Sequence, residues 1–301
     1  MGAIFMRIGR NESEFMIFSA SKLNIISQMM YRFLTLLLIF FLSACTNFLF
    51  VPIKPHPVTP DAVNVLYEEL TIDSSDGQQL HGWKLLAAEK TAGTILFFHG
   101  NGDNVSTQLP NTFWLPEQGY DVYIFDYRGY GQSDGVATLD GTISDMELMI
   151  AYVVHQLPED EKVIVIGHSL GGSMAIYTVA HSAYRNRIKS LVTIEAFSDY
   201  HDITQDVLSR SWLFWLFQWP LSFTIDNSYR PLDSISLISP IPILILHSES
   251  DEMIDMYHAD RLFETAKQPK SFALIDSNHS NVFFTKANRR VLLDSFSKLH
   301  Y

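Results

Sequence analysis

Val163-Ile-Val-Ile-Gly-His-Ser-Leu-Gly-Gly-Ser-Met174 decides the fold. Four β-branched residues run into Gly167, and the small residues Gly171, Gly172 and Ser173 lead out into the apolar stretch Met174–Ala180. A short apolar run closed by glycine reads as a strand buried on both faces. The small residues after it allow a helix to start close by. The segment is therefore strand, tight turn, helix, with Ser169 at the apex. Gly167-His168-Ser169-Leu170-Gly171 fits the pattern G-x-S-x-G in the context that pattern requires. Such a turn holds its central residue in strained backbone and presents the hydroxyl beside a helix N-terminus, where developing negative charge is favoured. Ser169 is the candidate nucleophile, and the N–H of Leu170 is one candidate donor to an oxyanion.

Further strands flank this one. Leu66–Ser74 and Leu80–Ala87 predict a hairpin around Ser75-Asp76-Gly77. Thr94–His99, Val122–Asp126, Leu191–Ile194, Ile243–His247 and Ser271–Ile275 are short apolar runs. Residues 140–156 carry apolar side chains at helical spacing, and a last helix is expected at about Lys286–Leu299. Alternation of this kind gives an α/β fold, with a mostly parallel central sheet flanked by helices and an antiparallel edge at its start. Residues 196–240 form an insert between two strands, expected to be a small helical cap. Its centre runs Trp212-Leu-Phe-Trp-Leu-Phe-Gln-Trp-Pro220. These rings line a pocket, face a membrane or pack the cap onto the core.

A serine hydroxyl needs a base to take its proton and a carboxylate to orient that base. The usual chain order on such a sheet is nucleophile, acid, histidine. His279 lies in the loop after the last strand, Asp276-Ser-Asn-His279, and is the candidate base. His247 ends its own strand and reads as a turn former. Asp251 follows that strand and is the candidate acid, with Glu249, Glu252 and Asp255 as rivals. A second oxyanion donor is expected from His99-Gly-Asn-Gly102, at the backbone N–H of Asn101.

Taken together, His99-Gly-Asn-Gly, Asp126-Tyr-Arg-Gly-Tyr-Gly-Gln-Ser133, Gly167-His-Ser-Leu-Gly-Gly172, His247-Ser-Glu-Ser-Asp251 and Asn278-His279 resemble the α/β-hydrolase superfamily. More narrowly they resemble its membrane-associated serine esterases and acylglycerol lipases of the ABHD12/13 and Bem46 kind, over roughly residues 65–300. The resemblance implies Ser169, Asp251 and His279 as a catalytic triad, with Asn101 and Leu170 as oxyanion donors. The sequence departs from the family pattern in three places: Ser248 replaces the usual Gly, Asp255 the usual Pro, and the usual G-x-G-H reads Asp276-Ser-Asn-His279. The expected activity is hydrolysis of carboxylic esters with a medium or long acyl chain, through an acyl-serine intermediate. A peptidase, thioesterase or acyltransferase would use the same groups, and a non-catalytic membrane-anchored scaffold would keep only the fold.

The N-terminal part has another logic. Arg32 precedes the apolar run Phe33–Ala44, too short at about a dozen residues to span a bilayer, which takes ~20. Leu42-Ser-Ala-Cys45 follows and resembles a bacterial lipobox, which implies lipidation of Cys45 and a lipid-anchored protein of the cell envelope, at the outer membrane facing the periplasm. Residues 1–44 are thus read as an extension and signal peptide, with Met29 and Met30 as alternative starts. Residues 45–64, rich in proline, are read as a tether, and residues 65–301 as the hydrolase domain. A formal net charge of −12 with no basic stripe argues against nucleic acid as a partner. No cofactor or metal is expected, because no histidine, acid or cysteine cluster has ligand spacing and no dinucleotide fingerprint is present.

Overall fold

The computed structural model describes residues 25, 27–32, 35, 49–89 and 91–298. Cys45 and most of the apolar run before it lie outside them, so the signal-peptide expectation does too. The chain divides into Met1–Cys45 and Thr46–Tyr301, and the sheet belongs to the second unit. Among the described residues, no helix is long and apolar enough to cross a membrane.

Eight strands form one sheet in the order β1-β2-β4-β3-β5-β6-β7-β8. They are β1 (Tyr67–Asp73), β2 (Gln79–Leu85), β3 (Gly93–Phe98), β4 (Tyr120–Phe125), β5 (Val163–His168), β6 (Ile188–Ile194), β7 (Ile243–Ser248) and β8 (Lys270–Ile275). β1 and β2 form the antiparallel edge and the rest run parallel. Inner apolar runs such as β3 and β5 are buried on both faces because alternate residues serve different cores, whereas β8, at the sheet edge, is partly exposed. Leu96, Phe98, Val163 and Val165 pack with α1 (Leu139–Gln156) and α2 (Leu170–His181). Ile95, Phe97, Ile164 and Ile166 pack on the other face with Trp114, Leu292 and Phe296. This period of two is what pleated strands impose.

The insert is helical, as expected, and its main element is α3 (Tyr200–Ser209), which the side chain of Asp199 caps by accepting the N–H groups of His201 and Asp202. A helix between β7 and β8, α4 (Met256–Thr265), was not expected from the sequence. Asp255 caps it, accepting the N–H of Tyr257 at 3.1 Å, and Ala259 and Leu262 bury its inner face. The last helix, α5 (Lys286–Lys298), closes the fold.

Residues 50–59 form no regular secondary structure, yet they are not a free tether. The N–H of Val51 donates to Asn101 Oδ1 at 2.8 Å, Lys54 Nζ donates to the Ser133 carbonyl, and Asn104 Nδ2 donates to the carbonyls of Ile53 and Pro55. His56 Nε2 and His81 Nδ1 both lie 2.9 Å from Asp126 Oδ2. Sequence patterning missed this strap because proline excludes a segment from sheet ladders without preventing side chains elsewhere from bonding its carbonyls.

Candidate active site

Ser169 sits between β5 and α2 at φ 52° and ψ −120°, a conformation L-residues rarely adopt. Its neighbours explain how the turn is held. A Cβ on Gly167 would lie 2.6 Å from the Gly171 carbonyl oxygen, and one on Gly171 would lie 2.4 Å from that of His99. Only glycine lets α2 close onto β5 and β3. The Ser169 N–H donates to the Ile194 carbonyl, which fixes the elbow to β6. From that apex the Ser169 hydroxyl reaches His279 Nε2 at 2.9 Å, and His279 Nδ1 reaches Asp251 Oδ2 at 2.9 Å. With Nδ1 donating to the carboxylate, Nε2 is left as the acceptor for the serine proton. The structure thus brings together the three residues singled out as nucleophile, acid and base, although 110 positions separate His279 from Ser169.

The alpha/beta hydrolase fold family matches residues 93–223. The uncharacterised protein YfhR of Salmonella typhi is 31% identical over 230 residues, which cover 72% of this chain and 75% of that protein. The chain belongs to the α/β-hydrolase superfamily. Protein bem46 of Schizosaccharomyces pombe is 28% identical over 200 residues, 65% of this chain and 64% of its own. Among solved structures, an esterase of Pyrococcus furiosus superposes with a TM-score of 0.66 at 20% identity, over 83% of this chain and 96% of that one. Est1E of Butyrivibrio proteoclasticus, solved with ferulic acid bound, gives 0.58 at 17% identity over 76% and 99%. At such identities the likeness speaks to the fold alone.

In this α/β-hydrolase two of the three rivals of Asp251 have other work. Asp255 caps α4, and Glu252 accepts the backbone N–H of His279 at 3.3 Å. Asp251 Oδ1 accepts the N–H groups of Met253 and Ile254. Burial works against its charge, but the bond from His279 and these backbone donors outweigh it and hold the carboxyl below its usual range. The departure at Ser248 is also explained. Its hydroxyl donates to the Ser277 carbonyl at 2.7 Å and accepts the Ser277 N–H, tying the acid loop to the base loop. His247 donates to the Ile254 carbonyl and shapes the acid loop, as its place at a strand end suggested.

One residue escaped the sequence reading. Glu195, at the end of β6, is wholly buried and has φ 50°. Its Oε2 lies 3.4 Å from His279 Nδ1 and 3.5 Å from His168 Nε2, with no hydrogen bond of its own. Burial pushes this carboxyl up despite His168 beside it. His279 therefore faces two carboxylates. The signal was present in Val192-Thr-Ile-Glu195, a carboxylate ending a buried strand, but no motif marks it. His168 Nε2 also donates to the His279 carbonyl at 2.8 Å and holds the base loop over the elbow. Among the described residues, two groups, His56–His81–Asp126 and His168–Glu195–His279, hold ligating atoms within 4.8 Å of one another. Spacing along the chain hid both, since their members come from distant segments.

A cavity of about 580 Å³ opens at Ser169 and His279. Asn101 and Leu170, the expected oxyanion donors, line it together with Leu49, Phe50 and Val51 of the strap and Ile203, Val207 and Leu208 of α3. The side chain of Asn101 is taken up by the strap and by Tyr130, whose hydroxyl donates to its Oδ1 at 2.7 Å. A larger cleft of about 1,100 Å³ lies where β3, β5 and β6 begin, among Gly93, Lys162 and Ile188. That is the opposite end of the sheet from the strand C-termini, where ligands of such folds bind. None of Trp212, Phe214, Trp215, Phe217 and Trp219 lines the active-site cavity, and all are exposed, between 43% and 89%. They do not form the pocket.

Proposed function

We propose that this α/β-hydrolase is a serine esterase acting on lipid-like or medium- to long-chain acyl esters. The observation that carries the reading is the unbroken hydrogen-bonded line Asp251–His279–Ser169 at the floor of a largely apolar cavity. In the proposed reaction Ser169 Oγ attacks the ester carbonyl as His279 Nε2 takes its proton. Asp251 keeps Nδ1 protonated and stabilises the imidazolium. The backbone N–H groups of Asn101 and Leu170 receive the oxyanion, the latter at the start of α2, whose dipole favours negative charge. His279 then protonates the departing alcohol, and a water activated by the same ring releases the acyl group. Residues 45–64 and 65–301 serve as strap and catalytic domain, and lipidation at Cys45 holds the protein at the bacterial envelope. Amides and thioesters present the same carbonyl to the same groups, but the apolar walls favour an acyl chain over a peptide.

A fluorophosphonate probe tests the assignment, since it labels only an activated serine. Wild type labels and Ser169→Ala does not, while p-nitrophenyl esters of increasing length show a rate maximum at an intermediate or long chain. Labelling that persists in Ser169→Ala overturns the nucleophile, and rates that fall steadily from acetate overturn the acyl-chain reading. A folded wild type that neither labels nor turns over any ester points to the scaffold alternative.

A further inference from the structure

The cap carries a surface that the catalytic cavity does not use. Residues 211–225 hold no charged side chain. Among them Trp212 is 89% exposed, Leu216 72%, Phe223 66%, Trp219 59% and Trp215 55%. Scattered exposed apolar residues are ordinary, but a contiguous set of large rings marks an interaction site. The segment that carries them reaches the cavity at Ile225, which lines it. Val207 of α3 and Met253 both line the cavity and are both exposed, and Arg210, beside them, donates to the Met253 carbonyl at 2.8 Å. The base of the cap is firmly held, since Asp206 accepts the Tyr257 hydroxyl at 2.7 Å and Arg261 pairs with Asp202. The rings are thus displayed by a fixed support.

We propose that this aromatic face lies in a lipid surface, so that the active-site cavity opens toward a bilayer and draws its acyl ester from it. Two observations choose lipid over a protein partner. The first is chemical: tryptophan and phenylalanine without interspersed charge suit the interfacial zone of a membrane. With no Lys or Arg in residues 211–225 and a net charge of −12, nothing in the segment draws it to anionic lipid. The second is the course of the chain. Leu49, Phe50 and Val51 line the cavity, and Cys45 stands four residues before Leu49. Four extended residues reach at most about 14 Å, so an anchor on Cys45 keeps the cavity within that distance of the lipid. The choice of substrate rests on the esterase reading, whereas the docking itself does not.

Intrinsic fluorescence tests it, because Trp83 and Trp114 are only 1% and 2% exposed and the other three tryptophans are in the patch. The full-length protein is reconstituted into phosphatidylcholine vesicles with and without brominated acyl chains. Docking predicts that the brominated lipid quenches the wild type, with little change on adding salt. It also predicts loss of that quenching in Leu216→Ser/Phe223→Ser, which keeps all five tryptophans as reporters. Trp212→Ser/Trp215→Ser/Trp219→Ser, or the single variant Trp212→Ser should the triple variant fold poorly, serves the turnover test. Absence of lipid quenching in the wild type overturns the proposal. So does shielding of the rings from acrylamide without lipid quenching, with a doubled mass in sedimentation, which assigns the face to a second copy. Turnover separates the two readings. The triple variant keeps its rate on soluble p-nitrophenyl acetate but loses about tenfold or more on an ester embedded in vesicles. Lipid quenching in a protein that hydrolyses neither ester leaves the docking standing and removes the esterase.

Discussion

Glu195 is held in a left-handed conformation, fully buried, with one oxygen unbonded. Such a group is costly to the fold, because a buried carboxylate without a full set of donors loses its hydration uncompensated. Its position 3.4 Å from His279 Nδ1 lets it share with Asp251 the charge that develops on the ring. Glu195→Gln therefore carries two expectations of opposite sign. The variant unfolds at the same or a higher temperature, by up to about 1 kcal/mol of added stability, yet kcat falls roughly tenfold. A folded Glu195 whose carboxyl is pushed up is favoured by acid, so the gain on substitution is larger at pH 8 than at pH 5. Thermal melts at the two pH values check the sign. Asp251→Asn removes the nearer carboxylate and leaves Glu195 in reach. It is expected to cost kcat on the order of a hundredfold, and the double variant nearer ten thousandfold, the scale set by loss of the acid in a serine triad. Equal losses in the single and double variants would remove Glu195 from the mechanism.

Turns between elements set where these side chains meet, and here the elbow is the critical element. Gly171 faces backbone oxygens of Phe98 and His99 that cannot yield as a side chain can. Gly171→Ala is expected to push α2 away from β3, lowering stability by about 1–3 kcal/mol in urea titration and lowering fluorophosphonate labelling in the population that stays folded. Unchanged labelling would mean that the helix start does not position Ser169. At this scale the sequence was most informative. Parallel strands buried on both faces announce themselves as unbroken apolar runs, and each such run matched a strand. The strand ends then placed Ser169, Asp251 and His279 on neighbouring loops. Helix α4 stayed hidden because Asp255, which opens it, reads in sequence as a loop carboxylate, although Asp at a helix start is equally a cap. Glu195 stayed hidden because a strand-end carboxylate acquires meaning only once β6 is known to lie beside β5.

Over the whole molecule the strap makes the cavity's wall depend on a distant clamp. Leu49–Val51 face Ser169 across the cavity, while His56 and His81 converge on Asp126 at the C-terminal end of β4. Burial opposes charge on His81, but the carboxylates of Asp126 and Glu69, the latter 2.6 Å from Nε2, outweigh it and raise its pKa above 6.5. Burial likewise opposes charge on Asp126, yet the two imidazoles and the N–H of Val105 hold it well below its usual range. The signs fix a window. The His81 contribution is complete below about pH 6.5 and fades as pH rises through the raised folded value. The Asp126 contribution is complete above about pH 4 and fades only as acid reaches its depressed value. The clamp therefore grips hardest in mild acid and slackens toward alkaline pH, where a neutral His81 can no longer bridge two carboxylates with two donated protons. Hydrogen exchange at Val51 and Val58, whose N–H groups bond Asn101 and Ser106, reads this directly. Corrected for intrinsic rates, their protection is expected to fall between about pH 6 and pH 9, and His81→Gln should flatten that dependence. Equal protection at both pH values in the wild type would mean that the strap is held by its backbone partners alone.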